Sequence, residues 1–325
     1  MKKAIRYSII VPVYNEEAVI NETYQRLTKV MESMGEPYEL LFINDGSRDK
    51  TAQIIEQLAE ADDSVKLLDF SRNFGHQIAI TAGMDYACGE AVVIIDADLQ
   101  DPPELIPQMA AKWQEGFEVV YAKRTKRKGE TLFKKWTAAL FYRTLRAAAE
   151  IDIPLDTGDF RLMDRKVCEA MRSIREKNRF VRGLVSWVGF RQTAIEYTRD
   201  ERFAGETKYP LKKMLRFSMD GITSFSYKPL KLAGYLGFVV SFSSFVYLIV
   251  TLFLRLFTAD TIPGWSSVMA CVLLLNGVVL IILGILGEYV GRIYDETKNR
   301  PLYILRNKEH AGRPQPDEVN WRVKQ

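Results

Sequence analysis

The sequence predicts an α/β protein: a mostly parallel sheet with helices on both faces, followed by interfacial helices and a two-helix transmembrane hairpin. Three observations carry that prediction. Short apolar runs alternate with helical patterns as far as about residue 125. Polar and acidic residues gather where those runs end. Beyond residue 230, two stretches carry no charge over a length that crosses a bilayer.

The strand runs and their helices come in order. YSIIVPV (7–13) precedes a helical pattern over Glu17–Met34, and YELLFIN (38–44) precedes Thr51–Ala61. VKLLDF (65–70) leads to a helix near Gln77–Tyr86, AVVIID (91–96) to Glu104–Glu115, and EVVYAKR (118–124) is the fifth run. Strands apolar on consecutive positions are covered on both faces, as in parallel sheets flanked by helices. The order βαβαβαβαβ therefore implies a doubly wound sheet with right-handed crossovers. Ligands of such sheets bind beyond the carboxyl ends of the strands.

The uncharged stretches are Leu232–Leu254 and Thr261–Gly287. Each exceeds the roughly 20 apolar residues that span a hydrocarbon core. Lys212, Lys213, Arg216, Lys228 and Lys231 precede the pair, Arg292, Lys298, Arg300, Arg306 and Lys308 follow it, and Arg255 lies near the connection. By the positive-inside rule both termini are expected in the cytoplasm, at the inner face of the cell membrane. No leader pattern precedes the first strand, in line with that expectation. The implied layout is 1–210 for a cytoplasmic catalytic domain, 211–231 for a juxtamembrane amphipathic segment, 232–257 and 262–287 for the spans, and 288–325 for a cytoplasmic tail.

Among 325 residues the net charge of +4, with a pI near 8.8, is too slight to argue for nucleic acid. Its concentration beside the apolar stretches suits anionic lipid head groups instead. Cys88, Cys168 and Cys271 share no metal-ligand spacing and read as packing residues of a reducing compartment.

The chemistry is expected in the loops after the strands: PVYNEE, NDGSRD, SRNFG and DADLQDPPE. None carries a GxGxxG or GxxxxGK[ST] pattern, which disfavours a dinucleotide fold or a P-loop. Asp96 and Asp98 flank one residue after an apolar run, so on a continued strand their side chains point the same way. Two carboxylates, with the Gln100 amide oxygen as a third ligand, suit Mg²⁺ or Mn²⁺, ions that take few protein ligands and complete their shell with substrate phosphate. The acidic cluster also reads as the cap of the helix from Glu104, and Asp101 with its two prolines is assigned that purpose.

SIIVPVYNEE, INDGSRDKT, SRNFGHQIAITAG, DADLQDPPE and TGDFRLMDR, taken in order, resemble the motifs of glycosyltransferase family 2, and more narrowly the polyprenol-phosphate glycosyltransferases. The resemblance runs from about Tyr7 to Tyr209, and the two-span tail is similar to that of bacterial membrane-anchored members. It implies a GT-A-type fold and inverting, metal-dependent transfer of one sugar from a nucleotide diphosphate sugar, with a UDP-hexose preferred, to a polyprenyl (undecaprenyl) phosphate. Pro12, Tyr14, Glu16 and Asp45 would line the nucleoside pocket, Arg72 would meet phosphate or a loop acid, and Asp96, Asp98 and Gln100 would bracket the metal. Asp159 would orient or activate the nucleophile. Arg124, then Lys123, would take the acceptor phosphate, with Arg202 and Lys208 on an acceptor loop.

Other readings stay open beside these. Tyr14 also reads as an ordinary loop aromatic, Glu16 as a helix cap, and Asp159 as the salt-bridge partner of Arg161. His76 reads as structural rather than catalytic. A processive polysaccharide synthase of the same fold is disfavoured, because the chain has no QxxRW motif and too few spans. A non-catalytic membrane scaffold that binds nucleotide sugars is disfavoured by the presence of both Asp96 and Asp98. Two spans cannot enclose a path for a sugar lipid, so a separate flippase and a downstream transferase are implied. Gly234, Gly237 and Ser241 permit close helix packing, and a homo-oligomer, a tetramer by analogy, is expected.

Overall fold

The structure, a computed structural model, describes residues 4–126, 157–198, 228–257 and 264–306. Its first five strands are β1 (Tyr7–Val13), β2 (Tyr38–Asn44), β3 (Val65–Asp69), β4 (Ala91–Ile94) and β5 (Val119–Lys126). Between them lie α1 (Ile20–Met34), α2 (Thr51–Ala61), α3 (His76–Tyr86) and α4 (Ile106–Gln114), the last preceded by a 3₁₀ turn over Pro103–Leu105. Then come β6 (Thr157–Asp164), α5 (Arg165–Ser173), α6 (Val181–Trp187) and β7 (Gln192–Thr198), and finally α7 (Lys228–Phe257) and α8 (Trp265–Thr297).

One seven-stranded sheet runs in the order β3-β2-β1-β4-β6-β5-β7. The α/β class expected from the sequence holds, and the sheet is mostly parallel. The exception is β6, which inserts antiparallel between β4 and β5. The run TGDFRLMD, given no element by the sequence, thus forms a central strand. Alternation explains why helices cover both faces. Ile9, Val11, Leu40, Phe42, Val93, Phe160 and Leu162 pack toward α1, α2 and α4. Ile10, Leu41, Ile43, Val92, Ile94 and Met163 pack toward α3, α5 and α6. Each fully buried aliphatic side chain stabilises the fold by about 1.5–3 kcal/mol relative to exposure.

Pro12 occupies the penultimate position of β1, opposite Ile43 of β2. Proline in an inner strand normally sacrifices a ladder hydrogen bond. Here β4 has already stopped at Ile94, opposite Ile10, so among the described residues β1 has no strand partner on that side at Pro12.

The strand over β4 ends earlier than AVVIID suggests. Asp96 and Asp98 therefore lie past the strand end, Asp98 in a turn, and the period-two argument for their common direction does not apply. Alternation of burial nevertheless persists: Ile95, Ala97 and Leu99 are buried, while Asp96, Asp98 and Gln100 are partly exposed. Leu99 holds a left-handed φ of 57°, and the Gln100 N–H donates to Asp98 Oδ1 at 3.2 Å.

Helix α7 begins before residue 232, and α8 continues ten residues past 287, to Thr297. Among the described residues one helix, over Leu274–Thr297, is long and apolar enough to cross a membrane. Ala233–Tyr247 forms a shorter apolar stretch. The described residues after α8, up to Arg306, are bound to the sheet. Leu305 forms an antiparallel bridge with Phe70 just beyond β3, the Ser71 N–H donates to Ile304 O at 2.9 Å, and the Arg306 N–H donates to Asp69 O at 2.7 Å.

Candidate active site

The loops after β1 and β2 are laced together by short polar side chains. Asn15 N–H donates to Ser47 Oγ, Arg48 N–H to Asn15 Oδ1, Glu16 N–H to Thr51 Oγ1, and Glu17 N–H to Asp49 Oδ2. Tyr14 and Glu16 stand in this lacing, partly exposed. The α1 N-terminus has no side-chain cap; the Glu16 backbone carbonyl accepts the N–H groups of Val19 and Ile20 instead.

Asp45 is buried at the end of β2, where its carboxylate accepts from the backbone N–H groups of Phe74, at 2.6 Å, and Gly75, at 3.0 Å. Burial raises its pKa, against the pull of those two N–H donors. Asp45 thus builds the loop after β3. The adjacent Gly46, at φ +68°, lets the two loops touch: a Cβ there would lie 2.5 Å from the Arg72 carbonyl carbon. Arg72 lies with its guanidinium 4.0 Å from the centre of the Phe74 ring, a cation–π contact.

That loop delivers His76 to the start of α3, and the imidazole meets two carboxylates. Its Nε2 is 3.4 Å from Asp96 Oδ1 and 3.3 Å from Asp159 Oδ2. Burial favours the neutral ring, but Asp96 and Asp159 outweigh it and push the pKa up to about 9. His76 is therefore an imidazolium at neutral pH. Burial raises Asp96 to about 6, with Asp159, Asp101 and Asp98 adding to the rise and His76 opposing it.

Asp159 sits on β6 and faces α3. Arg182 of α6 grips it with both arms, Nε to Oδ1 at 2.8 Å and Nη2 to Oδ2 at 3.1 Å. Burial alone would raise this carboxyl, but the Arg182 charge and the His76 bond hold it well below the usual carboxylate range. The alternative reading of Asp159 as the salt-bridge partner of Arg161 does not hold: its carboxylate pairs with Arg182 and His76. Arg161 donates to the backbone carbonyls of Asp159 and Gly158, at 3.3 and 3.0 Å, and burial lowers its pKa to about 10.

Asp101 does not cap the helix that follows; the turn at Pro103 has no side-chain cap. Its fully buried carboxylate instead accepts from the Tyr197 hydroxyl and lies 3.5 Å from Arg124 Nη2, and Arg124 Nε donates to that hydroxyl at 3.1 Å. Burial would lower the Arg124 pKa, but Asp101 and Tyr197 raise it, so the guanidinium stays charged. Gly158 leaves room for it, since a Cβ there would lie 2.7 Å from Arg124 Nη2. Lys123 points elsewhere and pairs with Glu196 at 3.1 Å. Arg202, Lys208 and the segment 211–227 lie outside the described residues.

Asp45, Arg72, Asp96, Asp98, Gln100, Arg124 and Asp159 thus follow strand ends or lie on the strands β5 and β6. Three partners were not legible as such: His76, Arg182 and Tyr197. His76 follows a glycine at a helix start, a recognisable place for an anion-facing residue. Arg182 and Tyr197 have no local signal, because only the pairing of β6 and β7 with β5 brings them near.

Comparison with known proteins bears on this arrangement. The Glycosyl transferase family 2 pattern matches residues 8–172, and the GtrB C-terminal hairpin pattern matches residues 228–293. The uncharacterized glycosyltransferase YkcC of Bacillus subtilis is 67% identical over 94% of each chain. The SfII prophage-derived bactoprenol glucosyl transferase of Shigella flexneri is 43% identical over 95% of this chain and 100% of that one. A crystal structure of glucosyl-3-phosphoglycerate synthase from Mycobacterium tuberculosis, with Mn²⁺, UDP and phosphoglyceric acid, covers 66% of this chain and 75% of its own at 18% identity, with a TM-score of 0.46. That likeness is too slight to carry a ligand across. The sequence matches suffice without it: the chain belongs to glycosyltransferase family 2 and is a glycosyltransferase.

Proposed function

We propose that the protein transfers a single sugar, with inversion, from a nucleotide diphosphate sugar to a polyprenyl phosphate at the cytoplasmic membrane face. The observation that carries this reading is the cluster of Asp96, His76, Asp159 and Arg182 at one sheet edge, in a chain with an apolar helix of membrane length. The name of the Shigella relative supports a polyprenyl acceptor and glucose as the first sugar to try. UDP is the first nucleotide to try.

The residues fit a divalent cation. Asp96 Oδ1 is buried without a hydrogen bond, and Asp98 and Gln100 share its partly exposed side of the turn. Among the described residues no three carboxylate, histidine or cysteine side chains already form a cage. Two carboxylates and an amide that leave positions for diphosphate oxygens are what Mg²⁺ or Mn²⁺ requires. When bound, the ion supplies charge neutralisation on the departing nucleoside diphosphate.

The chain's own residues do the rest. Asp159, held as an anion by Arg182 and His76, is a weak proton acceptor. A phosphate monoester has its second pKa near 6, so the acceptor is already largely anionic at neutral pH. Asp159 therefore orients groups rather than removing a proton. Arg124, fixed by Asp101 and Tyr197, presents a permanent cation to the acceptor phosphate. A separate flippase would move the sugar lipid across the membrane, and a downstream transferase would consume it.

The test is direct. Purified protein is incubated with undecaprenyl phosphate, Mg²⁺ or Mn²⁺ and a panel of UDP- and GDP-sugars. Glycolipid formation with one donor, lost with EDTA and lowered at least about 100-fold in Asp98→Asn, is the expected result. No product and no donor retention would end the reading.

A further inference from the structure

We propose that Asn299–Arg306 is a strap that positions the loop after β3, with Tyr303 as its key positioning residue, and so tunes affinity for the nucleotide sugar. The inference rests on the donor reading above.

The strap lies on the edge strand of the sheet, because among the described residues no strand pairs with the outer side of β3. Its backbone bonds to Asp69 and Ser71 bracket Phe70, the residue that leads out of β3. A relay of rings then runs inward. Tyr303 stacks on Phe70 with centroids 5.3 Å apart, Phe70 meets Phe74 edge-on at 5.6 Å, and Phe74 carries the Arg72 guanidinium. The far end of Tyr303 is also fixed, its hydroxyl donating to the buried Asp85 at 3.0 Å. Arg306 adds an ion pair to Asp69 at 3.3 Å.

The loop is consequently held on two sides. Asp45 grips the Phe74 and Gly75 N–H groups from within the sheet edge, and the strap covers Phe70 from outside. The strap's own origin is anchored too. The last turns of α8 reach the α5–α6 connection, where Glu296 accepts from the Lys177 N–H at 2.7 Å and the Lys177 ammonium donates to the Arg300 carbonyl. The end of the apolar helix is thus tied both to the loop that carries Arg72 and His76 and to the connection that precedes Arg182.

Loosening the strap lowers the share of molecules whose loop is arranged for the donor. Apparent donor affinity falls by that share, while turnover of the filled site does not change. This separates the strap from a residue that touches substrate.

The experiment uses the full chain in lipid nanodiscs. Tyr303→Ala is expected to raise the donor KM by about tenfold with kcat within about twofold. Tyr303→Phe keeps the stacked ring and recovers most of the loss. Arg306→Pro removes both the N–H donated to Asp69 and the ion pair to its carboxylate, without touching the core, and is expected to raise the donor KM by about threefold. Hydrogen exchange at residues 71–75 quickens in Tyr303→Ala, a readout that needs no substrate. Unchanged donor KM and unchanged exchange would overturn the proposal. A loss confined to kcat and thermal stability, with Arg306→Pro silent, would also overturn it, since Tyr303 would then be packing alone. If wild-type protein uses no nucleotide sugar, the donor reading fails, and the exchange rates still decide whether the strap holds the loop.

Discussion

At Asp159 two cations converge on one carboxylate, and the consequences of removing either are different. Arg182→Ala strips a buried anion of its bidentate partner, which should cost about 3 kcal/mol in denaturant unfolding, the lower end for breaking a buried pair. Glycolipid formation should fall with it. Arg182→Lys restores the charge but not the planar fork, so it should recover stability more fully than activity. Equal recovery of both would mean that orientation of Asp159 does not matter. His76 gives a prediction in pH. Its folded pKa, about 9, lies above the ordinary imidazole value of about 6.5, so its stabilising contribution is complete below about 6.5 and is lost as pH rises through about 9. In EDTA, the melting temperature of the wild type should therefore fall from pH 7 to 9.5 relative to His76→Gln. Parallel curves for the two proteins would sink the imidazolium assignment.

Among the elements, the loops after β2 and β3 depend on Gly46. Alanine there would strain a left-handed backbone and put a Cβ against the main chain of Arg72, which has no flexible end to move aside. Gly46→Ala should lower stability by at least about 2 kcal/mol and weaken donor binding, both readable by thermal melts with and without UDP-sugar. An unperturbed melt would show that the two loops can separate freely. The five parallel-type runs were readable because burial on both faces leaves long apolar stretches with turn residues at each end. TGDFRLMD was not readable as a central strand, since Asp159 and Arg161 interrupt its apolar pattern. Both are buried; Arg182 and His76 make that tolerable for Asp159, and the Gly158 and Asp159 carbonyls for Arg161. The same logic hid the role of Asp101. Next to two prolines a carboxylate looks like a cap, and its true partners, Arg124 and Tyr197, are 23 and 96 positions away. Asp96 and Asp98 were legible by type and spacing, but their turn geometry was not, because β4 stops two residues before Asp96.

For the molecule as a whole, the apolar helix over Leu274–Thr297 and the hairpin match over residues 228–293 set how the enzyme meets its lipid. The protein should stay with membranes through high salt and alkaline carbonate and be released only by detergent, because an apolar helix of 24 residues is held by hydrocarbon rather than by charge. Release by carbonate would reduce the anchor to surface adhesion. The pairing of Leu305 with Phe70 adds a temporal consequence. Ribosomes make β3 more than two hundred positions before Tyr303, with both long helices in between. During synthesis, then, the rim of the nascent sheet waits bare until both long helices have left the ribosome, and the loop after β3 is closed over only after them.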